Sequence, residues 1–287
     1  MLMHILMVRS ALVDMGPGTQ PLALARELRK RGHRVTFATS GGVVTPQVED
    51  EGFTVHLVPE LAADRHDPVS VLRAIVALAR IVRRERIDLI HGHNGAATLC
   101  AWSGGLLTGK LLRAVTSIRG VEERESHQYR NRIWRYLPGK LLAVCENGRD
   151  RLLAYGVPPS RILVTYNGVD LARFDPSQHD RNAVRAELEL EGAIVIGCTG
   201  AMVGEPEWGG PGKGQHLLVA ALARLHERYP NVRVLLIGDG PMRPAVEQAA
   251  EQLGVAEKVI FVGRRFDVPR LLSCVDLSCL PSIKRSE

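Results

Sequence analysis

Much that would name a function outright is scarce or missing in these 287 residues. Aromatic residues are 5% of the chain, and no nucleic-acid module with interleaved aromatics is present, so nucleic acid is not an expected partner. No apolar run reaches the roughly 18 residues needed to span a membrane. The opening MLMHILMVRS turns charged too early for a secretory leader, and its apolar residues read as a buried first strand. The five cysteines, Cys100, Cys145, Cys198, Cys274 and Cys279, include no C-x-x-C pair. They read as reduced core thiols of a cytosolic protein, and no metal site is expected.

Two nucleotide fingerprints also fail. After the first strand, MGPGTQPL offers Gly16 and Gly18, but the third glycine of G-x-G-x-x-G is replaced by Pro21. The second strand ends in ATSGG, without an acidic residue for a ribose, which argues against a nicotinamide enzyme. Later, GPGKGQ lacks the Ser or Thr of a Walker loop, because Gly214 follows Lys213.

What is present is a balanced globular composition, 45% hydrophobic and 24% charged, with a net charge of +6 carried mostly by arginine. That excess suits an anionic substrate or an anionic membrane face. Two basic stretches stand out: a helical segment over 69–84 with Arg73, Arg80, Arg83 and Arg84, and the set Arg124, Arg130, Arg132, Arg135 and Lys140. The first segment places Val69, Leu72, Ile75, Val76, Ala79 and Val82 at helical spacing.

Strand and helix patterns alternate. HILMV, RVTFAT, TVHLV, IDLIHGH, AVTSI, LLAV and ILVTY read as strands. Between the first two, Thr19 is placed to cap a helix with Pro21 in its first turn, Leu22, Ala25 and Leu28 on one face, and Gly32 at its end. Such alternation predicts parallel sheets covered on both faces. The polar LARFDPSQHDR reads as a linker. A second series follows, with strands in AIVIGCTG, VRVLLIG, KVIFVG and VDLSCL and helices near 215–228, 242–253 and 267–273. Two domains are expected, residues 1–172 and 173–287. About seven strands fall in the first half and four in the second, so the second domain reads as incomplete beside the five or six strands usual for doubly wound sheets.

Ligands of such sheets bind at the carboxyl ends of strands. Gly16 and Gly18 would allow a tight turn before the helix, whose free N–H groups favour an anion. His91 and His93 in HGHNGAA are two apart and face the same way in an extended strand, suited to a base, a hydroxyl contact or an ordinary buried histidine. Arg119 and Gly120 could meet an anionic acceptor, whereas Glu122, Glu123 and Glu125 read as a solvated helix start. Lys213-Gly214, before a helix, forms a good diphosphate site. The GDGP turn, with Gly238, Asp239 and Gly240, lets backbone approach a ligand closely.

The order of LARELRKRGHRVTFATSGG, LLAVCENGRDRLLAYGVPPSRILVTYNGVDLARFDP, GKGQHLLVAALARL and the run from VRVLLIGDGP to CVDLSCLPS resembles the retaining family-4 glycosyltransferases of the GT-B fold. The resemblance covers about Leu2 to Glu287 and is strongest over 141–174 and 212–282. It implies an α/β architecture of two Rossmann-like, doubly wound domains facing a cleft, with the acceptor held by the first and a nucleotide-diphosphate sugar by the second. It implies no cofactor and no metal. By it, Lys213 lies on the diphosphate and His93, with His91 as second choice, near the transferred sugar. Gly200, Ala201 and Met202 stand where the family has a GRL-like arginine segment. PSIKRSE makes Glu287 the first of two family glutamates, so the chain is expected to be truncated within its donor site and impaired.

The function so implied is transfer of a sugar to a hydroxyl of a carbohydrate or lipid-linked acceptor, with retention, in surface polysaccharide, lipopolysaccharide or glycolipid synthesis. The alternatives are a non-catalytic fragment or pseudoenzyme that binds acceptor or partner only, and a sugar-nucleotide epimerase. A cytoplasmic location is expected, with peripheral contact to the anionic inner face of the membrane.

Overall fold

The computed structural model describes residues 2–13, 16–62, 64, 67–109, 113–118, 132–204 and 212–282. It separates two compact units, Met1–Asn167 and Gly168–Arg285. The division falls before the NGVD turn is complete, a few residues earlier than the sequence-based boundary at 172. Arg119, Gly120, Glu122, Glu123, Arg124, Glu125, Arg130 and Glu287 lie outside the described residues.

The first unit holds β1 (His4–Val8), β2 (Arg34–Thr39), β3 (Thr54–Leu57), β4 (Leu89–Gly92), β5 (Arg113–Ile118), β6 (Lys140–Ala143) and β7 (Ile162–Val164). They form one parallel sheet in the order β3-β2-β1-β4-β5-β6-β7. Every residue of β1 is buried, the mark of a strand covered on both faces. Helices α1 (Gly16–Lys30), α2 (Thr45–Asp50), α3 (Pro68–Arg84), α4 (Gly95–Leu107) and α5 (Glu146–Ala154) supply the cover.

Two helices differ from expectation. α1 begins at Gly16, not at Thr19, so Gly16 and Gly18 are helical residues and not a turn before the helix. Pro21 lies inside α1, where its missing N–H forgoes one i→i−4 bond. The expected inner face holds, with Leu22 and Ala25 buried and Leu28 packed against the same core.

In α3 the start is strongly specified: Asp67 accepts from the Ser70 N–H, Pro68 is the first helical residue, and Arg83 and Arg84 occupy the last turn. Its buried stripe is Ala74, Leu78, Ile81 and Val82. Val69, Leu72 and Val76 instead point outward, 56%, 60% and 36% exposed. Helical spacing alone could not choose, because apolar residues occupy both stripes of α3. The choice is made by α4, which packs so close that a Cβ on Gly104 would lie 2.8 Å from the Ala79 nitrogen.

The second unit holds β8 (Ile194–Thr199), β9 (Val232–Ile237), β10 (Val259–Gly263) and β11 (Leu277–Ser278), parallel and ordered β10-β9-β8-β11. Around them lie α6 (Arg181–Glu187), α7 (Gln215–Leu225), α8 (Arg243–Gln252) and α9 (Val268–Ser273). α7 ends three residues before the expected Arg228, and VDLSCL pairs over Leu277–Ser278 alone. The lead-in to β11 is fixed by Asp276, which accepts from the Val195 N–H at 2.8 Å and pairs with Arg181 and with Arg185 at 2.6 Å. Among the described residues no helix is long and apolar enough to cross a membrane.

Candidate functional site

Strand order locates one crevice in each unit. In an open parallel sheet the connections on either side of a reversal point run to opposite faces, leaving a crevice at the carboxyl ends. The first sheet reverses between β1 and β4, the second between β8 and β11.

In the first unit, β1 delivers Arg9 and Ser10, β2 delivers Ser40, and β4 delivers His93 and Asn94. The His93 N–H donates to the Val8 carbonyl at 2.9 Å, continuing the β4 pairing one step past the strand. His91 and His93 stack with ring centroids 4.4 Å apart and planes 16° from parallel, as their two-residue spacing requires. Both are buried, and His91 Nε2 is 2.8 Å from Ser117 Oγ on β5. Asn94 caps α4 by accepting from the Ala97 N–H, and its Nδ2 donates to Ser10 Oγ at 2.6 Å. Ser40 donates its hydroxyl to the Ser10 carbonyl. The ends of β1, β2 and β4 are thus tied together by short polar contacts.

Arg9 is the residue that sequence reasoning missed here. Its Nε donates to the Ala11 carbonyl at 2.8 Å and its Nη1 to the His93 carbonyl at 3.4 Å. Burial pushes its pKa down, far too little to discharge a guanidinium at neutral pH. A half-buried cation held by carbonyls at a switch point can bind an anion. Its only sequence signal was its place directly after the HILMV strand.

In the second unit, Gly200 follows β8, Gly238, Asp239 and Gly240 follow β9, and Lys213-Gly214 lead into α7. The loops are stitched together: Gly200 N–H donates to Ile237 O, and Met202 N–H to Asp239 O, both at 2.9 Å. Gly238 has φ +140°, and a Cβ there would lie 2.2 Å from the Gly200 carbonyl oxygen, so only glycine allows the two loops this contact. Lys213 and Gly200 are neighbours, a Cβ on Gly200 falling 3.1 Å from Lys213 Cγ. Gly214 is the N-cap of α7 in the left-handed conformation, and no side chain caps the helix. The first turn of α7 therefore offers N–H groups beside the Lys213 ammonium, an arrangement suited to phosphate. Asp239 caps its own turn, accepting from the Gly240 N–H at 2.8 Å, and pairs with Arg243 at 3.4 Å.

Gln215 was also missed. It is fully buried, with its Nε2 donating to the Gly200 carbonyl at 3.1 Å, and so fixes the start of α7 against the loop after β8. Met202, in the GRL-like position, is fully buried in the core and adds no charge to the site. The structure brings Gly200, Lys213, Gly214, Gly238, Asp239 and Gly240 to one end of the second sheet, and His91 and His93 to one end of the first. Among the described residues no group of three or more His, Cys, Asp or Glu is placed to hold a metal ion.

Comparison with known proteins agrees with this geometry. Residues 16–173 match the sequence profile of Glycosyltransferase Family 4, and residues 193–287 that of Glycosyl transferases group 1. The chain is 25% identical over 250 residues to a phosphatidylinositol N-acetylglucosaminyltransferase of Arabidopsis thaliana, covering 84% of this chain and 52% of the relative. It is 24% identical over 285 residues to N-acetyl-alpha-D-glucosaminyl L-malate synthase of Bacillus anthracis, covering 94% and 71%. The chain thus spans about half the length of the first relative and under three quarters of the second. In fold it is similar to the Anabaena protein HepE in complex with UDP and glucose, with TM-score 0.77 and 21% identity, covering 98% of this chain and 74% of that one.

Proposed function

We infer the activity from the premise that the chain belongs to Glycosyltransferase Family 4: it transfers a sugar from a nucleoside-diphosphate sugar to a hydroxyl acceptor, with retention at the anomeric carbon. The observation that carries the reading is Lys213 beside the uncapped α7 start, at the carboxyl end of β8. The bond between the anomeric carbon and the diphosphate oxygen breaks, its electron pair leaving on the diphosphate. The acceptor oxygen forms the new bond and loses its proton. Lys213 and the α7 N–H groups would stabilise the charge that develops on the diphosphate. Gly200, Gly238, Asp239 and Gly240 would let backbone close on the nucleotide sugar. His93 would contact the transferred sugar.

Uridine nucleotides are the first donors to test, because HepE is crystallised with UDP and glucose. On the acceptor side, Gly16, Gly18 and Arg119 remain candidates, and the buried Arg9 supports an acceptor with an anionic group. Phosphatidylinositol and malate, in the names of the two relatives, are both anionic hydroxyl compounds. We place the protein in the cytoplasm, where its free cysteines stay reduced, and in contact with anionic membrane through the outer stripe of α3.

Incubation with UDP- and GDP-sugars, followed by nucleotide release and donor binding, tests the reading. Lys213→Ala should weaken donor binding by about ten- to a hundredfold, the worth of a charge-assisted contact of roughly 1.5–3 kcal/mol. Binding without turnover would favour a non-catalytic role. Unchanged donor affinity in Lys213→Ala would remove the lysine from the site.

A further inference from the structure

Away from both crevices, the first sheet carries a cavity of about 510 Å³ at the opposite ends of its strands, lined by Leu89, Arg113, Ala114, Val115, Lys140 and Arg161 over a floor at Gly139. Leu89, Arg113 and Lys140 are the first residues of β4, β5 and β6, and Arg161 immediately precedes β7. Four consecutive neighbours in the sheet therefore present their starts to one concavity. The six residues of β5 separate it from the carboxyl ends by about 17 Å, at 3.3 Å per residue. It is not part of the acceptor crevice, and the donor residues belong to the other unit.

The charges in this cavity are unbalanced. Arg113, Lys140 and Arg161 line it, and among the described residues no acidic one does. Arg161 is held by backbone alone: Nε donates to Gly139 O at 3.0 Å, Nη1 to Arg135 O at 2.8 Å, and Nη2 to Leu137 O. Lys140 donates to the Ser160 carbonyl. Carbonyls fix these two cations without neutralising them, and none of the three has a carboxylate partner among the described residues. Gathering like charges without a counter-charge costs free energy that a bound anion returns. The floor is rigid, since Gly139 sits so close to β5 that a Cβ would fall 1.7 Å from the Ala114 carbonyl oxygen. The wall between the charges is aliphatic, from Leu89, Ala114 and Val115.

We propose that this cavity is a second anion site, taking a phosphomonoester with a short apolar body: the phosphate among Arg113, Lys140 and Arg161, the hydrocarbon against Leu89 and Val115. The three cations supply charge-assisted contacts, and the aliphatic wall distinguishes an organic phosphate from inorganic phosphate. The site is independent of sugar transfer and would let a phosphorylated small molecule act on the first unit from the face remote from its crevice.

Titration calorimetry of the full chain at low ionic strength tests this, with n-hexyl phosphate as the probe and inorganic phosphate and n-hexanol as comparisons. Hexyl phosphate should bind more tightly than either. Arg113→Gln should weaken it about tenfold, as loss of one charge-assisted contact does, and Lys140→Gln should act in the same direction. Lys213→Ala should leave it unchanged, which separates this site from the donor site whatever the fate of the donor reading. Among the described residues Arg113 has no side-chain hydrogen bond or ion pair to lose. Arg113→Gln should therefore keep the wild-type melting temperature, and it decides the matter if Lys140→Gln does not fold. Equal affinity in wild type and Arg113→Gln, loss of binding in Lys213→Ala alone, or hexyl phosphate binding no better than inorganic phosphate would each overturn the proposal.

Discussion

A Cβ atom on Gly214 would sit 1.9 Å from the carbonyl oxygen of Pro281. The turn that opens α7 and the segment after β11 therefore touch backbone to backbone, with room for hydrogen only. Gly214 also has φ +76°, a left-handed conformation that costs other residues about 1–2 kcal/mol. Gly214→Ala meets both penalties, and the nearest atoms are backbone, not a flexible side-chain tip that could step aside. It should destabilise the second unit by about 2–4 kcal/mol and abolish donor binding, read as a lower melting temperature and a lost nucleotide titration. A wild-type melting temperature would mean that the Pro281 segment moves freely away from α7.

The parallel sheets were legible because strands buried on both faces read as unbroken apolar runs, HILMV and VRVLLI among them. The diphosphate loop was legible because Lys-Gly before a helix pattern is a local signal. The inner face of α3 was not, since Val69, Leu72 and Val76 match helical spacing as well as Ala74, Leu78 and Ile81 do, and only α4 decides between them. The start of α1 was not, because Gly16, Pro17 and Gly18 are poor helix residues while Thr19 is a favoured cap. Arg9 and Gln215 escaped notice because a polar side chain that folds inward leaves no periodic mark. The basic cavity draws Arg113, Lys140 and Arg161 from successive strand starts more than twenty residues apart, a pattern that exists only once strand order is known.

Arg9 gives a prediction on the acceptor side. It is anchored to the Ala11 and His93 carbonyls, so its charge is held in place before any acceptor arrives. Arg9→Gln should raise the acceptor KM about tenfold, the loss of one charge-assisted contact, and leave the donor KM unchanged. Arg9→Lys, which keeps the charge but loses the planar fork, should recover part of the loss. A parallel rise in both KM values would assign Arg9 a purely structural role.

The thiols should react in an order set by burial. Cys198 is buried in the core beneath the donor loop, and burial, with Cys279 nearby, pushes its pKa up to about 11. The thiolate is the reactive species, so at pH 8 only about one Cys198 in a thousand is poised to react. Burial raises the Cys100 and Cys274 thiols as well. Iodoacetamide at pH 8 should therefore label the half-buried Cys145 and Cys279 first, with Cys100, Cys198 and Cys274 labelled only after denaturation. Raising the pH towards 11 should accelerate Cys198, because deprotonation, not access alone, holds it back. Rapid native labelling of Cys198 at pH 8, followed by peptide mass spectrometry, would contradict the packing of β8 against α7.

The outer stripe of α3 carries the membrane prediction. Val69, Leu72 and Val76 are exposed on the same side as Arg73, Arg80, Arg83 and Arg84, and the helix has no acidic residue. An interfacial helix needs this combination of apolar side chains to enter the headgroup boundary and cations to meet anionic lipid. Each arginine near such a surface contributes about 1 kcal/mol, so the double substitution Arg73→Glu with Arg80→Glu, which also introduces repulsion, should cut binding to phosphatidylglycerol vesicles by more than about tenfold. Leu72→Gln should weaken binding by a smaller factor that persists at high salt, because burial of apolar surface is not screened. Salt should release the wild-type chain, since the Debye length shrinks to about 3 Å at 1 M. None of these residues lines the α3–α4 contact, so the melting temperature should barely change. Sedimentation that is indifferent to the anionic lipid fraction, or unaffected by the double charge reversal, would show that this stripe faces water alone.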